Sequence, residues 1–257
     1  MLIKIVQIQS RLGDMLTLEE RLLVFKQRPD FICLPEYSLV ASDMPDFVRS
    51  AMMIKENLAY LAGLSEALST CLIGGSVVEG DEEGLYNSAY LFDRGCIIGR
   101  YRKLNPVSGE IDKGILPGDK IFVREIEGIR LGILICADAL NVALFEKMRE
   151  YRPDIIFIPT ISSYLPEERK LEKFKRDNDI YVRAARESLA YIVKTCGVGL
   201  LFGKRLQGRS LVAAPWGILK RVEPHAELST AIMTTILDID ELRDFKAKGI
   251  AAGAVEE

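Results

Sequence analysis

The sequence of 257 residues predicts an α/β fold in which buried sheets are covered by helices. Apolar runs of strand length alternate along the chain with amphipathic segments of helix length. No segment rich in proline, glycine or serine divides the chain, and we find no short internal repeat. Because 49% of the residues are hydrophobic, a chain of this length can bury one large core. We therefore expect residues 1–257 to form a single layered domain.

The first part of the chain contains both kinds of segment. Strands are predicted where β-branched and other apolar residues run together, and helices where apolar residues recur at helical spacing. This pattern predicts strands at residues 2–7, 31–35, 72–80, 86–93 and 97–104, and helices at 16–27 and 45–68. The stretches "DEEG" and "DRG" separate the last three strands and predict turns.

The second part repeats the alternation. A hairpin is predicted in "IFVREIEGIRLGILIC", with its turn at Glu127 and Gly128. We expect a helix directly after Cys136, strands at residues 154–160, 190–196, 210–222 and 230–239, and helices at 166–188 and 240–248. The charged part of the long helix, "PEERKLEKFKRDND", is predicted to be a solvated face.

Composition narrows the classes of partner and location. The formal net charge of −3, with both signs mixed, argues against a nucleic-acid surface, because phosphate binding requires a basic face. The start "MLIKIVQIQS" alternates apolar and polar residues, so no signal peptide is predicted. Charges interrupt each apolar run before it reaches the roughly 18 residues of a membrane span. We expect a cytoplasmic protein that binds neither nucleic acid nor membrane.

The cysteines and the histidine limit the available chemistry. The five cysteines are Cys33, Cys71, Cys96, Cys136 and Cys196, and none forms a CxxC pair. This scatter fits neither a disulfide framework nor a zinc site, so we predict reduced thiols, no metal and no cofactor. All except Cys136 are expected to pack in apolar strands. The single histidine, His225, lies in the turn-like segment "RVEPHAEL".

Three polar residues follow predicted strands in otherwise apolar surroundings. Glu36 follows "FICLP", Lys103 follows "IIGRYR", and Cys136 follows "LGILI". Each residue alone is better explained structurally: a buried thiol, a loop acid and a lysine on an edge strand. In layered α/β folds, however, ligands collect at the carboxyl ends of strands, so the three groups can converge.

The combination of these three residue types is chemically competent. A cysteine becomes a nucleophile when a nearby base or positive charge makes its thiolate accessible. Because His225 is poorly placed to serve, Glu36 and Lys103 remain as the available base and cation. A carboxylate can accept the thiol proton while an ammonium group stabilises an oxyanion, so the three side chains suffice for acyl transfer.

These motifs resemble the nitrilase superfamily of carbon-nitrogen hydrolases. The segments "LPEYSL", "GRYRKL" and "GILICADAL" match the catalytic motifs of that family in order, and "YVRAARESLAYIV" and "SLVAAPWG" are similar to two of its structural blocks. The resemblance implies a four-layer αββα sandwich. It also implies that Glu36 is the general base, that Lys103 stabilises the tetrahedral intermediate and that Cys136 is acylated.

The resemblance implies further site residues. Glu110 matches a fourth acid that orients the substrate or the lysine, although a solvated loop acid is the alternative. The backbone amide of Ala137 is a candidate oxyanion donor, and Asn141, Thr160, Ser162 and Tyr164 are candidate substrate contacts. Asp138 is predicted to cap the following helix, whose start would favour a thiolate at Cys136.

The expected function is hydrolysis of a non-peptide carbon-nitrogen bond through a cysteine acyl-enzyme, with a small-molecule amide favoured over a nitrile. Transfer of the acyl group to an amine is one alternative, and a non-catalytic binding or regulatory protein on the same fold is another. Family members commonly have a bulky residue at the position of Ala137 and a histidine at the position of Asn105. Because this chain differs at both positions, the resemblance does not identify the substrate.

The resemblance also implies a homodimer or higher homo-oligomer, with a C-terminal tail from about residue 240 reaching across the interface; a frayed terminus is the alternative.

Overall fold

A computed structural model of the chain describes residues 1–253, and the side chains of residues 1–248. The strands are β1 (Leu2–Gln9), β2 (Phe31–Cys33), β3 (Cys71–Ile73), β4 (Val77–Gly80), β5 (Leu85–Asp93), β6 (Cys96–Arg102), β7 (Phe122–Ile126), β8 (Ile129–Ile133), β9 (Ile155–Thr160), β10 (Tyr191–Cys196), β11 (Gly199–Leu201), β12 (Lys204–Leu206), β13 (Leu211–Ala214), β14 (Gly217–Arg221) and β15 (Ala231–Asp238). The α-helices are α1 (Leu18–Gln27), α2 (Phe47–Met52), α3 (Ile54–Ala67), α4 (Ser108–Ile111), α5 (Val142–Glu150), α6 (Lys170–Asp177), α7 (Arg183–Ser188) and α8 (Ile239–Gly253).

Two mixed sheets form the centre of the molecule. In the first sheet the order is β15-β1-β2-β3-β5-β4, and β6 pairs with β5. In the second sheet the order is β14-β13-β10-β9-β8-β7. The central strands β1, β2 and β3 run parallel, as do β8, β9 and β10, so their carboxyl ends lie at common sheet edges.

The sheets pack face to face and helices cover their outer faces. The rings of Phe31 and Phe157, one from each sheet, lie 5.9 Å apart in a continuous apolar core. Helices α1 and α3 pack on the first sheet, while α5 and α7 pack on the second. These are the four layers of the predicted αββα sandwich, and the predicted fold class is confirmed.

Three predicted elements are interrupted in the structure. The helix expected at residues 45–68 is divided between α2 and α3 at Met53, whose ψ of 8° is outside the helical range. The strand expected at 72–80 is divided at Gly75, which has a φ of +69°. The helix expected at 166–188 begins at Lys170 and includes a π-helical turn at Asn178–Val182. These predictions were wrong because apolar periodicity does not register local breaks in the backbone.

Other predictions missed turns. The segment 210–222 was predicted as one strand but forms the hairpin β13–β14, with Trp216 packed between Tyr191 and Phe245 at ring distances of 5.8 and 5.4 Å. The short hairpin β11–β12 and helix α4 were not predicted. The turn at Glu127 and Gly128 is where the sequence placed it, and both residues have positive φ as this hairpin type requires.

The C-terminal helix begins against the core of its own chain. Ile239 and Leu242 are fully buried, and Arg243 and Lys246 pair with Asp154 at 2.9 and 3.2 Å. Residues 254–257, the end of the predicted tail, lie outside the described residues. That the tail reaches across an oligomer interface stays a prediction. None of the helices in the described part of the chain is long and apolar enough to cross a membrane.

Candidate active site

Glu36, Lys103 and Cys136 converge at one cavity of about 450 Å³. Glu36 follows β2 and Lys103 follows β6, both in the first sheet, and Cys136 lies three residues beyond β8 of the second. The cavity therefore lies where the ends of strands from both sheets meet. Its lining consists of Glu36, Tyr37, Phe47, Lys103, Val107, Gly109, Glu110, Asp112, Lys113, Cys136, Ile161, Ser163, Leu201, Phe202 and Lys204.

Lys103 lies between two carboxylates at the buried end of the cavity. Its Nζ is 2.8 Å from Glu36 Oε1 and 2.7 Å from Glu110 Oε2. The side chains of Lys103 and Glu36 are each 1% exposed and that of Glu110 is 7% exposed. The structure thus places Glu110, the acid assigned by resemblance, on the same ammonium group as Glu36. Ion pairs this buried persist only when good geometry and added hydrogen bonds offset desolvation.

Two side chains that sequence reasoning missed supply those hydrogen bonds. Asn87 Nδ2 donates to Glu36 Oε1 at 2.8 Å and to Glu110 Oε1 at 2.9 Å, which fixes the two carboxylates relative to each other. Tyr37 OH donates to Glu110 Oε1 at 2.5 Å. An asparagine inside the apolar strand "YNSAYLFD" was the only signal in the sequence for Asn87, because buried amides require partners.

The loop that carries Glu36 depends on a glycine. A Cβ at Gly75 would lie 2.0 Å from the carbonyl oxygen of Pro35, and the positive φ of Gly75 also disfavours other residues. This close approach lets the backbone amide of Tyr37 bond Ser76 Oγ at 3.0 Å. Glu36 Oε2 in turn accepts the backbone N–H of Ile161 at 3.0 Å, which ties Glu36 to the second sheet.

The two carboxyl groups differ in acidity. Burial raises the pKa of Glu36, and although Lys103 opposes this shift, the negative charge of Glu110 adds to it. Burial also disfavours the charged form of Glu110, but Lys103 and the hydrogen bonds from Tyr37 and Val107 lower its pKa below the ordinary value. A carboxylate with a raised pKa is the better proton acceptor. Glu36 therefore has the properties of a base, and Glu110 those of a permanent anion.

The ammonium group of Lys103 is held in its charged form. Burial opposes the charge, but the attraction of Glu36, Cys136 and Glu110 raises the pKa of Lys103 above its ordinary value. A lysine in this state donates hydrogen bonds but does not exchange its proton near neutral pH. It can stabilise negative charge that develops beside it.

Cys136 has an unusual backbone conformation. Its φ is +45°, a region that non-glycine residues seldom adopt and that recurs at functional sites. The thiol points toward Ile161 O at 3.4 Å. Burial and the charge of Glu36 raise the pKa of the thiol well above its ordinary value, although Lys103 opposes the shift. The helix start was expected to favour a thiolate to a degree that depends on burial; here burial and the charge of Glu36 outweigh it, and the turn that follows, Cys136–Leu140, is a short 3₁₀ segment.

Asp138 connects the loop that carries Cys136 to the loop that carries Lys103. Its Oδ2 accepts Tyr101 OH at 2.7 Å and the Ile135 amide at 2.9 Å. Its Oδ1 accepts the backbone amide and Nδ2 of Asn105 at 2.8 and 2.9 Å. Asp138 does cap the turn as expected, and it also holds Asn105, two residues beyond Lys103, against the strand end that carries Cys136.

The candidate substrate contacts lie beside the cavity. Ala137, Asn141, Thr160, Ser162 and Tyr164 are all absent from its described lining. Thr160 is buried with its hydroxyl bonded to Ile158 O, and Tyr164 packs under Arg205. Residues Ile161 and Ser163 line the cavity instead. The extended chain alternates its side chains, so the neighbouring positions face the cavity.

Apolar walls above the polar groups were not predicted. The rings of Tyr37 and Phe47 stack at 5.0 Å, and Phe47 meets Phe202 edge-on at 5.0 Å. Phe202 and Leu201 come from the unpredicted hairpin β11–β12.

Outside the cavity, Cys33, Cys71 and Cys196 are buried as expected, but Cys96 is exposed at the start of β6, contrary to the prediction. Within residues 1–253 no group of three or more His, Cys, Asp or Glu is arranged to hold a metal ion.

Comparison with known proteins gives sequence relatives of two kinds. The glutamine-dependent NAD(+) synthetase of Acinetobacter baylyi is 26% identical over 142 residues, which are 54% of this chain and 26% of the synthetase. The chain thus spans little more than a quarter of that relative's length. Human omega-amidase NIT2 is 26% identical over 207 residues, which are 74% of this chain and 70% of that protein.

A solved structure and a family model cover nearly the whole chain. An amidase from Nesterenkonia sp. superimposes with a TM-score of 0.75 at 18% identity, over 97% of this chain and 95% of the amidase. In one structure of a variant of that amidase, acrylamide is added to the active-site cysteine. The model of the carbon-nitrogen hydrolase family matches residues 5–247. The chain therefore belongs to the carbon-nitrogen hydrolase family.

Proposed function

We propose that this protein hydrolyses the carbon-nitrogen bond of a small amide through a thioester on Cys136. The observation that carries the proposal is the shared cavity, where the Cys136 thiol lies beside a carboxylate of raised pKa and a charged lysine. Glu36 and Lys103, 2.8 Å apart, supply the base and the cation that a neutral thiol lacks.

Acylation begins with a proton transfer. Glu36 accepts the thiol proton as the sulfur of Cys136 attacks the carbonyl carbon of the amide. The carbonyl oxygen becomes an oxyanion, which Lys103 Nζ stabilises. When the tetrahedral intermediate collapses, the carbon-nitrogen bond breaks and Glu36 returns the proton to the leaving ammonia or amine. The acyl group remains on sulfur.

Hydrolysis of the thioester uses the same two side chains in the same roles. Glu36 removes a proton from a water molecule, the hydroxide oxygen attacks the thioester carbon, and Lys103 again stabilises the oxyanion. The carbon-sulfur bond breaks, the carboxylic acid leaves and the thiol regains a proton. Glu110 does not exchange protons in this scheme, because its lowered pKa keeps it ionised; it holds Lys103 in place at 2.7 Å.

An amide is favoured over a nitrile as the substrate. Support comes from the relatives, since both human omega-amidase NIT2 and the Nesterenkonia enzyme are amidases by name. The apolar walls formed by Phe47, Leu201 and Phe202 suit a small acyl group with little polarity. Acyl transfer to an amine would use the same thioester and differs only in the group that removes the acyl chain.

Mass spectrometry of the intact protein tests the thioester. Exposure to a panel of small amides should add one acyl mass, located by peptide mapping on Cys136. The matched control is Cys96→Ala, which removes an exposed thiol and should leave the adduct unchanged, whereas Cys136→Ala should abolish it. Full turnover by Cys136→Ala would overturn the proposal. Added amine acceptors separate hydrolysis from transfer, since transfer yields a new amide instead of the acid.

The acidity of Glu36 should set the acidic limb of the pH-rate profile. Activity is lost as pH falls through the raised pKa of Glu36, because the base becomes protonated. Since the charge of Glu110 contributes to that raised pKa, Glu110→Gln should move the acidic limb of kcat/KM to lower pH. The control Asp119→Asn removes an exposed acid and should leave the limb unchanged. If the acidic limb of kcat/KM in Glu110→Gln stayed at the wild-type pH or moved to higher pH, its assignment to Glu36 would be contradicted.

A further inference from the structure

A second group of buried charges lies outside the candidate active site, between α6 and the second sheet. Asp177 ends α6, Lys194 lies on β10, Arg209 precedes β13 and Arg221 ends β14. None of the four lines the cavity that contains Cys136. The segment that contains α6 was predicted to be a solvated face, but Asp177 at its end is buried. The cluster therefore needs an explanation of its own.

Three cations share a single carboxylate in this cluster. Lys194 Nζ and Arg209 Nη2 lie 3.3 and 3.9 Å from Asp177 Oδ1, and Arg221 Nη1 lies 3.9 Å from Asp177 Oδ2. The side chains of Lys194, Arg209 and Arg221 are 1%, 6% and 22% exposed. Among the described residues, no other carboxylate lies within 4.0 Å of these cations. Three positive charges and one negative charge leave an excess of two positive charges at a cluster where Lys194 and Arg209 are buried and Arg221 is partly exposed.

The guanidinium groups also have unused hydrogen-bond donors. Nε and Nη1 of Arg209 and Nη1 of Arg221 are buried and have no acceptor within the described residues. The 3.9 Å separations of Arg209 Nη2 and Arg221 Nη1 from the Asp177 carboxylate are too long for hydrogen bonds. Burying charged donors without acceptors is strongly unfavourable, so such groups in native proteins are paired.

Neighbouring side chains reduce this imbalance without removing it. Lys194 Nζ lies 4.6 Å from the ring centre of Tyr181, and the guanidinium of Arg221 lies 4.1 Å from that of Phe174. Aromatic faces attract cations but carry no net charge. The Cys196 thiol is neutral, since burial raises its pKa despite the nearby cations. No side chain among residues 1–248 therefore supplies the compensating negative charge.

We propose that Lys194, Arg209 and Arg221 bind a small inorganic anion beside Asp177. Arginine and lysine donors at a buried, positively charged position are the groups that bind halide and oxyanions in proteins. The π-helical turn at Asn178–Val182 follows Asp177 directly, and such turns recur at binding sites. The site is separate from the proposed hydrolysis: its occupant joins α6 to the second sheet and contributes to stability.

Bromide locates the site directly. In crystals of the full chain soaked in sodium bromide, anomalous scattering should show a peak within hydrogen-bonding distance of Arg209 and Lys194. The same soak of Arg209→Gln crystals should lose this peak while bromide at surface positions stays. Density for neutral water alone at this position in the wild-type protein, at saturating bromide, would overturn the proposal.

Thermal unfolding supplies an independent test that needs no crystal. Bromide or phosphate should raise the wild-type unfolding midpoint by roughly 2 to 8 °C in a saturable way. Lys194→Met removes one excess positive charge, so at low salt its unfolding midpoint should not be lower than that of the wild type. Bromide or phosphate should then raise the midpoint of this variant by less than it raises that of the wild type. The control Arg124→Gln, an exposed arginine on β7, should follow the wild type. Parallel rises in wild type and Lys194→Met would show a general salt effect and contradict the site.

Discussion

Replacing Glu36 with Gln is expected to lower kcat by about 10²- to 10⁴-fold, the contribution of a general base. The amide has nearly the same shape, but it cannot accept the thiol proton or activate water. Both kcat and kcat/KM should fall, because acylation and deacylation use the same group. Steady-state kinetics should also show that the residual activity has lost the acidic limb that Glu36 causes.

The stability of the Glu36 variant distinguishes a catalytic role from a structural one. One buried hydrogen bond becomes mismatched, because Gln presents a donor where Glu36 accepts from Ile161 or from Lys103. The free energy of unfolding in urea should therefore fall by no more than about 1–3 kcal/mol. The control is Glu227→Gln, which disturbs a buried pair with Lys173 at 3.0 Å and should reduce stability without lowering kcat. Equal kcat in the Glu36 variant and the wild type would remove Glu36 from the mechanism.

Replacing Lys103 with Met should damage both activity and stability. The substitution leaves Glu36 and Glu110 buried side by side without the cation that separates them. Breaking a buried ion pair by removing one partner costs about 3–5 kcal/mol, and urea unfolding should show a loss of that size. Turnover should fall by about 10²- to 10³-fold or more, since the oxyanion loses a charged donor.

A double variant separates the two effects of Lys103. Adding Glu110→Gln to Lys103→Met removes one of the uncompensated carboxylates, so part of the lost unfolding free energy should return. Turnover should not return with it, because no cation faces the oxyanion. If stability and turnover recovered together, Lys103 would be a structural residue alone, and its assigned role at the tetrahedral intermediate would be wrong.

The polar groups at strand ends were accessible to sequence reasoning for a physical reason. Buried strands are recognisable as apolar runs, and Glu36, Lys103 and Cys136 each stand out at the end of one. Parallel strands then bring such positions to common edges of a sheet. Asn87 and Tyr37 had no comparable signal. Their importance comes from the carboxylates to which they donate hydrogen bonds, and those partners are 23, 51 or 73 residues away along the chain.

The fold, like the site, was predicted from the sequence only in part. The alternation of apolar runs and amphipathic segments predicted the layered α/β class and most of the strands. It did not predict the break at Gly75, the turn after Ala214 or the hairpin β11–β12, which builds part of the cavity wall. These features depend on single backbone dihedrals and on contacts with distant residues, which hydrophobic periodicity does not encode.

The sequence by itself determined the sheet-forming segments, the fold class and the three residue types that carry the proposed chemistry, because hydrophobic patterning and side-chain chemistry are local properties. Only the tertiary structure decided that the pKa of Glu36 is raised and that of Glu110 lowered, that the pKa of the Cys136 thiol is raised, and that Ile161 and Ser163 line the cavity in place of their neighbours. It also decided that three cations meet at Asp177. Acidity, orientation and net buried charge depend on the distances between residues far apart in the chain, and folding alone sets those distances.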